Sequence, residues 1–512
     1  MDKKRDSFSG KLGFVFAAAG SAVGLGNLWR FPYLAAKYGG GIFILIYLIL
    51  VLTFGFTLMM TEIAIGRRTG LSAVGAFKKL DKRFGFVGYL ACIVPFIITP
   101  YYCVIGGWVI KYLAAFVTGQ VSAAATDDYF TGFIAKPVEP IVWFLIFALL
   151  TALVVIIGVQ KGIEKASCIL MPILLVLIVG ISIFGITRPG AMEGVKYYLL
   201  PDFSAFSATT VLAAMGQLFY SMSLAMGIMI TYGSYMKKDV DLHTSVRQIE
   251  IFDTAVAVLA GLMIVPSVFV FSGGSQEALG KGPSLMFITL PKVFEDMAFG
   301  GFIGAAFFIL VLFAALTSSI SLLETNVSII SDKLHWDRKK STIVASAYVI
   351  IVGAIVSLGF GPLDFVKIIG LGLLDFFDFI SNSVLMPVVA LFTCISVGFF
   401  IKPDFVYEEA EGRYYLNTSK GFQCMIYDYN VVDELTITIQ TYNKVYNHNA
   451  DEVNRNKYIW HITKDNADEQ NILFVVGNKQ YVWYYRFKDV FIGVALIIII
   501  VVLSLIANGK DA

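Results

Sequence analysis

Charge is scarce in this chain. Only 15% of its 512 residues are Asp, Glu, Lys or Arg, against roughly 25% in soluble domains. So little charge cannot clothe a water-facing surface of this size, and most of the chain therefore belongs in lipid. The formal net charge of +2 gives no sign of a nucleic-acid partner. Cysteine is sparse and scattered: Cys92, Cys103, Cys168, Cys394 and Cys424 include no pair at metal spacing. Four of the five fall in apolar runs, which argues against a disulfide framework. The histidines (His243, His335, His448, His461) lie outside those runs or at their edges and form no ligand pattern. No nucleophile, base or metal cluster of an enzyme is visible. A cleavable leader is not expected either, since Met1 to Lys11 reads as a short charged tail.

What the chain has instead is apolar length. Hydrophobic residues make up 57% of it, and the mean hydropathy is +0.76. Runs long enough to cross a bilayer fall near 12–36, 41–65, 86–117, 138–158, 166–186, 208–235, 242–271, 300–331, 341–359, 372–400 and 488–507. That predicts eleven spans. Basic residues gather on alternate connections: Lys3, Lys4, Arg5 and Lys11; Arg67 to Arg83; Lys161 and Lys165; Lys237 and Lys238; Lys333 to Lys340. The expected orientation is a cytoplasmic N-terminus, an extracellular C-terminus and a multi-pass protein of the cell membrane.

Two spans are too irregular to be plain helices. The first contains Gly20-Ser21-Ala22-Val23-Gly24-Leu25-Gly26-Asn27-Leu28-Trp29-Arg30-Phe31-Pro32. Each interior glycine costs a helix about 1 kcal/mol against alanine. A break inside hydrocarbon frees peptide groups that must be buried or line a cavity. The sixth span contains Gly216-Gln217-Leu218-Phe219-Tyr220-Ser221-Met222-Ser223-Leu224-Ala225-Met226-Gly227, with polar groups where a lipid-facing helix would carry leucine. Breaks at matching places in two five-span halves point to a mid-membrane site for an ion and a substrate. A glycine hinge, or close helix packing, is the plainer reading of either break alone.

Charges inside the spans need partners or water. Glu62 and Glu324 read as carboxylates that satisfy peptide N–H groups freed by a helix break. Arg30 and Asp378, opposite in sign and near the outer ends of their spans, suggest a gate pair. Asp253 has no obvious basic partner, and a bound sodium ion would supply the countercharge.

The segment AVGLGNLWRFP, the GQLFYSMS run, LTSS in the eighth span and the ExxxGR run from Glu62 to Arg67 together resemble the neurotransmitter:sodium symporter family. The likeness extends over roughly residues 5–400 and is strongest to bacterial eleven-span members that carry hydrophobic or aromatic amino acids. It implies an all-α polytopic protein with a LeuT-like five-plus-five inverted repeat. It also implies two sodium sites. The first would use the Ala22 carbonyl, Asn27, Ser221, Asp253 and the substrate carboxylate. The second would use the carbonyls of Gly20, Val23 and Ala314 with the hydroxyls of Thr317 and Ser318. The implied substrate pocket takes a carboxylate on Leu25, Gly26 and Tyr102, and an amine on Ala22, Tyr220, Ser221 and Ser223. Ile98, Met226, Ser318 and Leu322 would surround the side chain. Gates are implied by Arg30 and Asp378 outside, with Tyr102 and Tyr220 as a lid, and by Arg5, Asp332 and Tyr235 inside.

Three departures carry information. Monoamine-carrying members have an aspartate where this chain has Gly24, so the expected substrate is an α-amino acid with its own carboxylate. Asp253 stands where asparagine is common, and Ala257 replaces the serine of chloride-dependent members. Tyr47, Gln217 and Ser221 still match the chloride pocket, so Asp253 is expected to supply the missing negative charge and make chloride unnecessary. Residues 402–487, finally, are polar where the family has a short link. Alternation at Leu435 to Ile439, and a hairpin about Gly477-Asn478, predict a cytoplasmic β-rich insert. The expected organisation is a transporter core at 1–401, the insert at 402–487, and an eleventh span with a short tail at 488–512. The leading expectation is sodium-coupled import of a neutral, hydrophobic or aromatic α-amino acid. The alternative is an amino-acid receptor of the same fold that signals through 402–487 to an unidentified cytoplasmic partner.

Overall fold

The structure, a computed structural model, describes residues 6–272, 285–401, 404–411 and, beyond them, strand segments between 414 and 475. Long apolar helices dominate. Lys11–Ala22 (α1) and Gly26–Lys37 (α2) form a pair bent by 49°. Gly41–Thr69 (α3), Lys82–Val117 (α4), Glu139–Ile157 (α5) and Val159–Ile186 (α6) follow. Ala208–Ser221 (α7) and Ile228–Gly233 (α8) are two short helices. Leu242–Phe271 (α9), Gly300–Leu334 (α10), Arg338–Leu358 (α11) and Leu373–Ile401 (α12) complete the set. A further helix, Asp404–Glu411 (α13), follows, the last among the described residues.

Eight of these helices are long and apolar enough to cross a membrane, or nine if the bent pair counts as one span. The predicted count of eleven is not reached among the described residues. The sixth predicted span is divided into α7 and α8, each too short to pass alone, and 488–507 lies outside the described residues.

Five antiparallel segments, Tyr414–Asn417 (β1), Gln423–Asp433 (β2), Thr436–Tyr442 (β3), Lys457–Thr463 (β4) and Leu473–Val475 (β5), pair in the order β4-β3-β2-β1-β5. β3 contains most of the alternating run expected as a strand. The hairpin expected about Gly477-Asn478 lies outside the described residues.

The ExxxGR run shows how sequence sets packing here. A Cβ on Gly66 would stand 1.8 Å from the Ile230 carbonyl oxygen, and one on Gly233 would stand 2.2 Å from that of Ile63. Only glycine permits α3 and α8 to meet backbone to backbone, the close approach that drives helix association in lipid. One turn before Gly66, Glu62 accepts the Ala225 N–H at 2.8 Å and so satisfies a peptide group freed by the break between α7 and α8. One residue after Gly66, Arg67 donates to the carbonyls of Lys238 and Val240, beyond α8. The motif thus caps, packs and ties down the second half of the broken span.

Candidate functional site

The first break lies at Val23, whose backbone leaves the helical region (φ −74°, ψ 97°). Its N–H still reaches Ala19, while Asn27 turns back to accept the Gly24 N–H at 3.1 Å. A π-helical turn over Gly26–Arg30 then restarts the span. The second break runs from Met222 to Gly227 and takes a different form. Ser223, Ala225 and Gly227 all have positive φ (53°, 61° and 72°). Left-handed backbone costs a non-glycine residue roughly 1–2 kcal/mol, and such strain persists where surrounding structure holds it and function needs it.

The two breaks share a chamber. A small cavity is lined by Ser21, Ala22, Gly24 and Gly26 from the first and by Tyr220, Ser223, Met226 and Ile228 from the second. Ile98 and Tyr102 of α4 and Ser318 and Leu322 of α10 close it. Nine of the eleven residues expected in the substrate pocket therefore line one cavity. The other two stand just behind it: the Leu25 N–H donates to the Tyr102 hydroxyl at 3.1 Å, and Ser221 joins the cluster described next.

Asp253 is completely buried on α9. Its carboxylate accepts from Asn27 Nδ2 at 2.7 Å, from Ser221 Oγ at 3.0 Å and from the Tyr47 hydroxyl at 3.2 Å. No Lys, Arg or His contacts it among the described residues. A buried carboxylate with only neutral donors carries a penalty of several kcal/mol, which a small cation among these oxygens would offset. Gln217 donates to the Gly26 carbonyl at 2.9 Å, and its own Oε1 is buried without a partner. Asn27, Ser221, Asp253 and Tyr47 thus converge from four different helices.

The second predicted sodium set also converges. Ser318 Oγ lies 3.3 Å from the carbonyl oxygens of both Gly20 and Val23, and 3.0 Å from that of Ser21. Thr317 Oγ1 donates to Phe313 O at 3.0 Å and to Ala314 O at 3.1 Å. The threonine makes the ordinary one-turn-back bond, yet it faces the first break. A Cβ on Gly20 would stand 3.2 Å from the Thr317 Cβ.

At the outer pair, Asp378 accepts from Asn382 Nδ2 at 2.5 Å and from the Tyr101 hydroxyl at 3.2 Å. The Arg30 guanidinium sits 5.4 Å from the Tyr220 ring centre, and its Nη1 is buried without a hydrogen bond. The two charges border the same lid but are not joined as an ion pair. Of the inner set, Arg5 lies outside the described residues, and Asp332 accepts the Ser72 N–H at 2.7 Å. Tyr235 donates to Glu324 at 2.7 Å. Glu324 is a correction to the sequence reading: it does not cap a break but pairs with Arg338, whose Nη2 lies 2.5 Å from its Oε2. Asp6 stands 3.6 Å from the same guanidinium.

Sequence reasoning missed a seam of hydroxyls. Ser321 donates to Ser21 Oγ at 2.7 Å, Ser21 to Ser223 Oγ at 3.1 Å, and Ser223 to the Ser21 carbonyl at 3.0 Å. The signal was a serine inside each broken run and one on the facing helix.

Comparison with known proteins agrees with this geometry. The sequence pattern of the sodium:neurotransmitter symporter family matches residues 5–139 and 134–465. A Bacillus subtilis protein described as an uncharacterized sodium-dependent transporter, YhdH, is 37% identical over 430 residues, covering 82% of this chain and 93% of its own. The rat sodium- and chloride-dependent GABA transporter 2 is 25% identical over 80% of this chain and 75% of its own. Among solved structures, MhsT in complex with L-phenylalanine is 40% identical, with a TM-score of 0.74 over 80% of this chain and 93% of that one. Broken spans around a shared chamber and these matches lead to one conclusion: the chain belongs to the sodium:neurotransmitter symporter family, as a multi-pass membrane transporter and not an enzyme.

Proposed function

We propose that this transporter imports a neutral, hydrophobic or aromatic α-amino acid together with sodium, without needing chloride. The observation that carries the reading is Gly24. A Cβ there would stand 2.4 Å from Ser318 Oγ and 2.8 Å from the Tyr102 hydroxyl. The position faces the chamber and has no room for an acidic side chain, so the substrate must bring its own carboxylate. Peptide N–H groups where the restarted helix begins, with the Tyr102 hydroxyl, suit that anion. Ile98, Met226 and Leu322 offer the side chain an apolar wall, and L-phenylalanine in the related MhsT structure supports the preference.

In this reading Ala22, Asn27, Ser221 and Asp253 hold one sodium ion. Gly20, Val23, Ala314, Thr317 and Ser318 hold the other. All donors are oxygens, as a hard cation requires, and unwound carbonyls supply them without further charge. Two sodium ions, each falling down a tenfold gradient and 100 mV, release about 7.4 kcal/mol. That supports roughly a 10⁵-fold accumulation of a zwitterion. The transporter core at 1–401 has its N-terminus in the cytoplasm and is organised as two inverted five-span halves. Residues 402–487 form a cytoplasmic β-rich insert ahead of an eleventh span at 488–507.

The test is uptake of a panel of labelled amino acids into proteoliposomes under an imposed sodium gradient. Accumulation of phenylalanine-like substrates with sodium, but not with potassium in its place, is the expected result. Saturable binding with no uptake would favour a receptor instead.

A further inference from the structure

Beyond the hydroxyl seam, residues 6–9 are tied to the segment 235–240. The Phe8 N–H donates to the Tyr235 carbonyl at 3.0 Å, and Lys237 Nζ donates to the Ser9 carbonyl at 2.8 Å. The Phe8 ring is buried edge-on against Tyr232 and Tyr235. The segment 235–240 is therefore a bracket for the N-terminal plug.

The other side of that bracket is gripped by α13. Glu409 is buried, and its carboxylate meets Lys238 Nζ at 2.7 and 2.6 Å. Arg67 Nε stands 3.4 Å and Arg68 Nη1 3.6 Å from the same carboxylate. Arg67 also donates to the Glu409 carbonyl at 3.2 Å while it holds the carbonyls of Lys238 and Val240. Phe405 and Val406 are buried beside it. One carboxylate thus sits among three cations and draws them together. It also fixes the ends of both halves of the contact between α3 and α8.

We propose that α13 is an intramolecular latch: Glu409, seated on Arg67, Arg68 and Lys238, holds the 235–240 bracket and thereby keeps this end of the transporter closed. Release of α13 loosens the bracket and its hold on Phe8, leaves Ser9 tied to Glu164, and opens a path to the chamber past Ser321. The polar segment that begins with α13 then acts on the gate, because any partner that pulls α13 away shifts the protein toward the open form. A passive insertion has no need of a buried carboxylate at its first helix. The proposal rests on the reading of the chain as a sodium-coupled transporter given above.

The test uses the full chain in nanodiscs, where both faces are reachable. Ser321→Cys serves as reporter in a background with the five native cysteines replaced by alanine. Its rate of reaction with a hydrophilic thiol reagent is measured in sodium and in potassium. Ser321 lies between the chamber and the plug and is fully buried, so labelling reports opening. Glu409→Gln is expected to raise the rate in sodium about tenfold, the effect of removing one buried charge-assisted pair. Lys238→Met, whose side chain is largely exposed and whose loss endangers folding less, is expected to raise it two- to threefold. Wild-type rates in both variants, with the sodium effect intact, overturn the latch. No difference between sodium and potassium in any protein overturns the transport reading on which the latch depends.

Discussion

Replacing Asp253 by asparagine keeps the shape of the side chain and removes its charge. The aspartate is fully buried, and its partners are an amide, a serine hydroxyl and a tyrosine hydroxyl at 2.7–3.2 Å. Among the described residues no basic side chain neutralises it, so the countercharge is left to an ion in the site. A unit charge pair at 4 Å interacts by about 4 kcal/mol at an effective dielectric of 20, close to a thousandfold in affinity. The asparagine oxygen still coordinates sodium and recovers part of this, so the half-saturating sodium concentration is expected to rise roughly 30- to 1,000-fold. Chloride is expected to restore part of the loss in the variant, since the Tyr47 and Ser221 hydroxyls that donate to the carboxylate belong, with Gln217, to the chloride pocket that the family resemblance implies. Sodium titrations of labelled phenylalanine binding, in chloride and then in gluconate, read both effects. An unchanged sodium midpoint in Asp253→Asn would refute the assignment of Asp253 to a cation. Wild-type binding that falls steeply in gluconate would refute chloride independence.

Gly24→Ala pushes a methyl to within 2.4 Å of Ser318 Oγ; overpacking of about 1–3 kcal/mol predicts a 5- to 150-fold loss of substrate binding at equilibrium. Thr317→Val removes one expected sodium donor and is expected to raise the sodium midpoint roughly tenfold, read by the same titration. Gly66→Ala meets the Ile230 carbonyl, which cannot move aside as a side chain can; a loss of about 3 kcal/mol or more is expected in thermal unfolding, with a fall in folded yield. Arg338→Met leaves Glu324 buried and unpaired, at a cost near the lower end of about 3–5 kcal/mol because the arginine is partly exposed. Adding Glu324→Gln is expected to recover most of that loss.

Much of the site was legible because it depends on residue types with few uses. Glycines at 20, 24 and 26 inside an apolar run leave little but a break. An aspartate at 253 with no obvious basic partner raises the question of a bound cation from sequence alone. The ExxxGR run was visible as a motif, but its roles needed the backbone contact between α3 and α8. Glu324 was misread because its partner lies 14 positions on, past a corner turned by His335 in left-handed conformation (φ 55°). Arg338 had looked like one more basic residue of a connecting loop. The outer charges were also paired too simply, since Asn382, one turn from Asp378, supplies a nearer donor than Arg30. The seat of Glu409 was unreadable, because a glutamate in a polar stretch carries no sign of burial.

The most direct measurement is an experimental structure with sodium and L-phenylalanine, at a resolution that separates sodium from water by its coordination distances. One ion is expected among Ala22, Asn27, Ser221 and Asp253, touching the substrate carboxylate. A second is expected among Gly20, Val23, Ala314, Thr317 and Ser318. Density for phenylalanine elsewhere, or for water alone in both oxygen cages, would contradict the reading that the two unwound stretches exist to hold sodium beside a zwitterion.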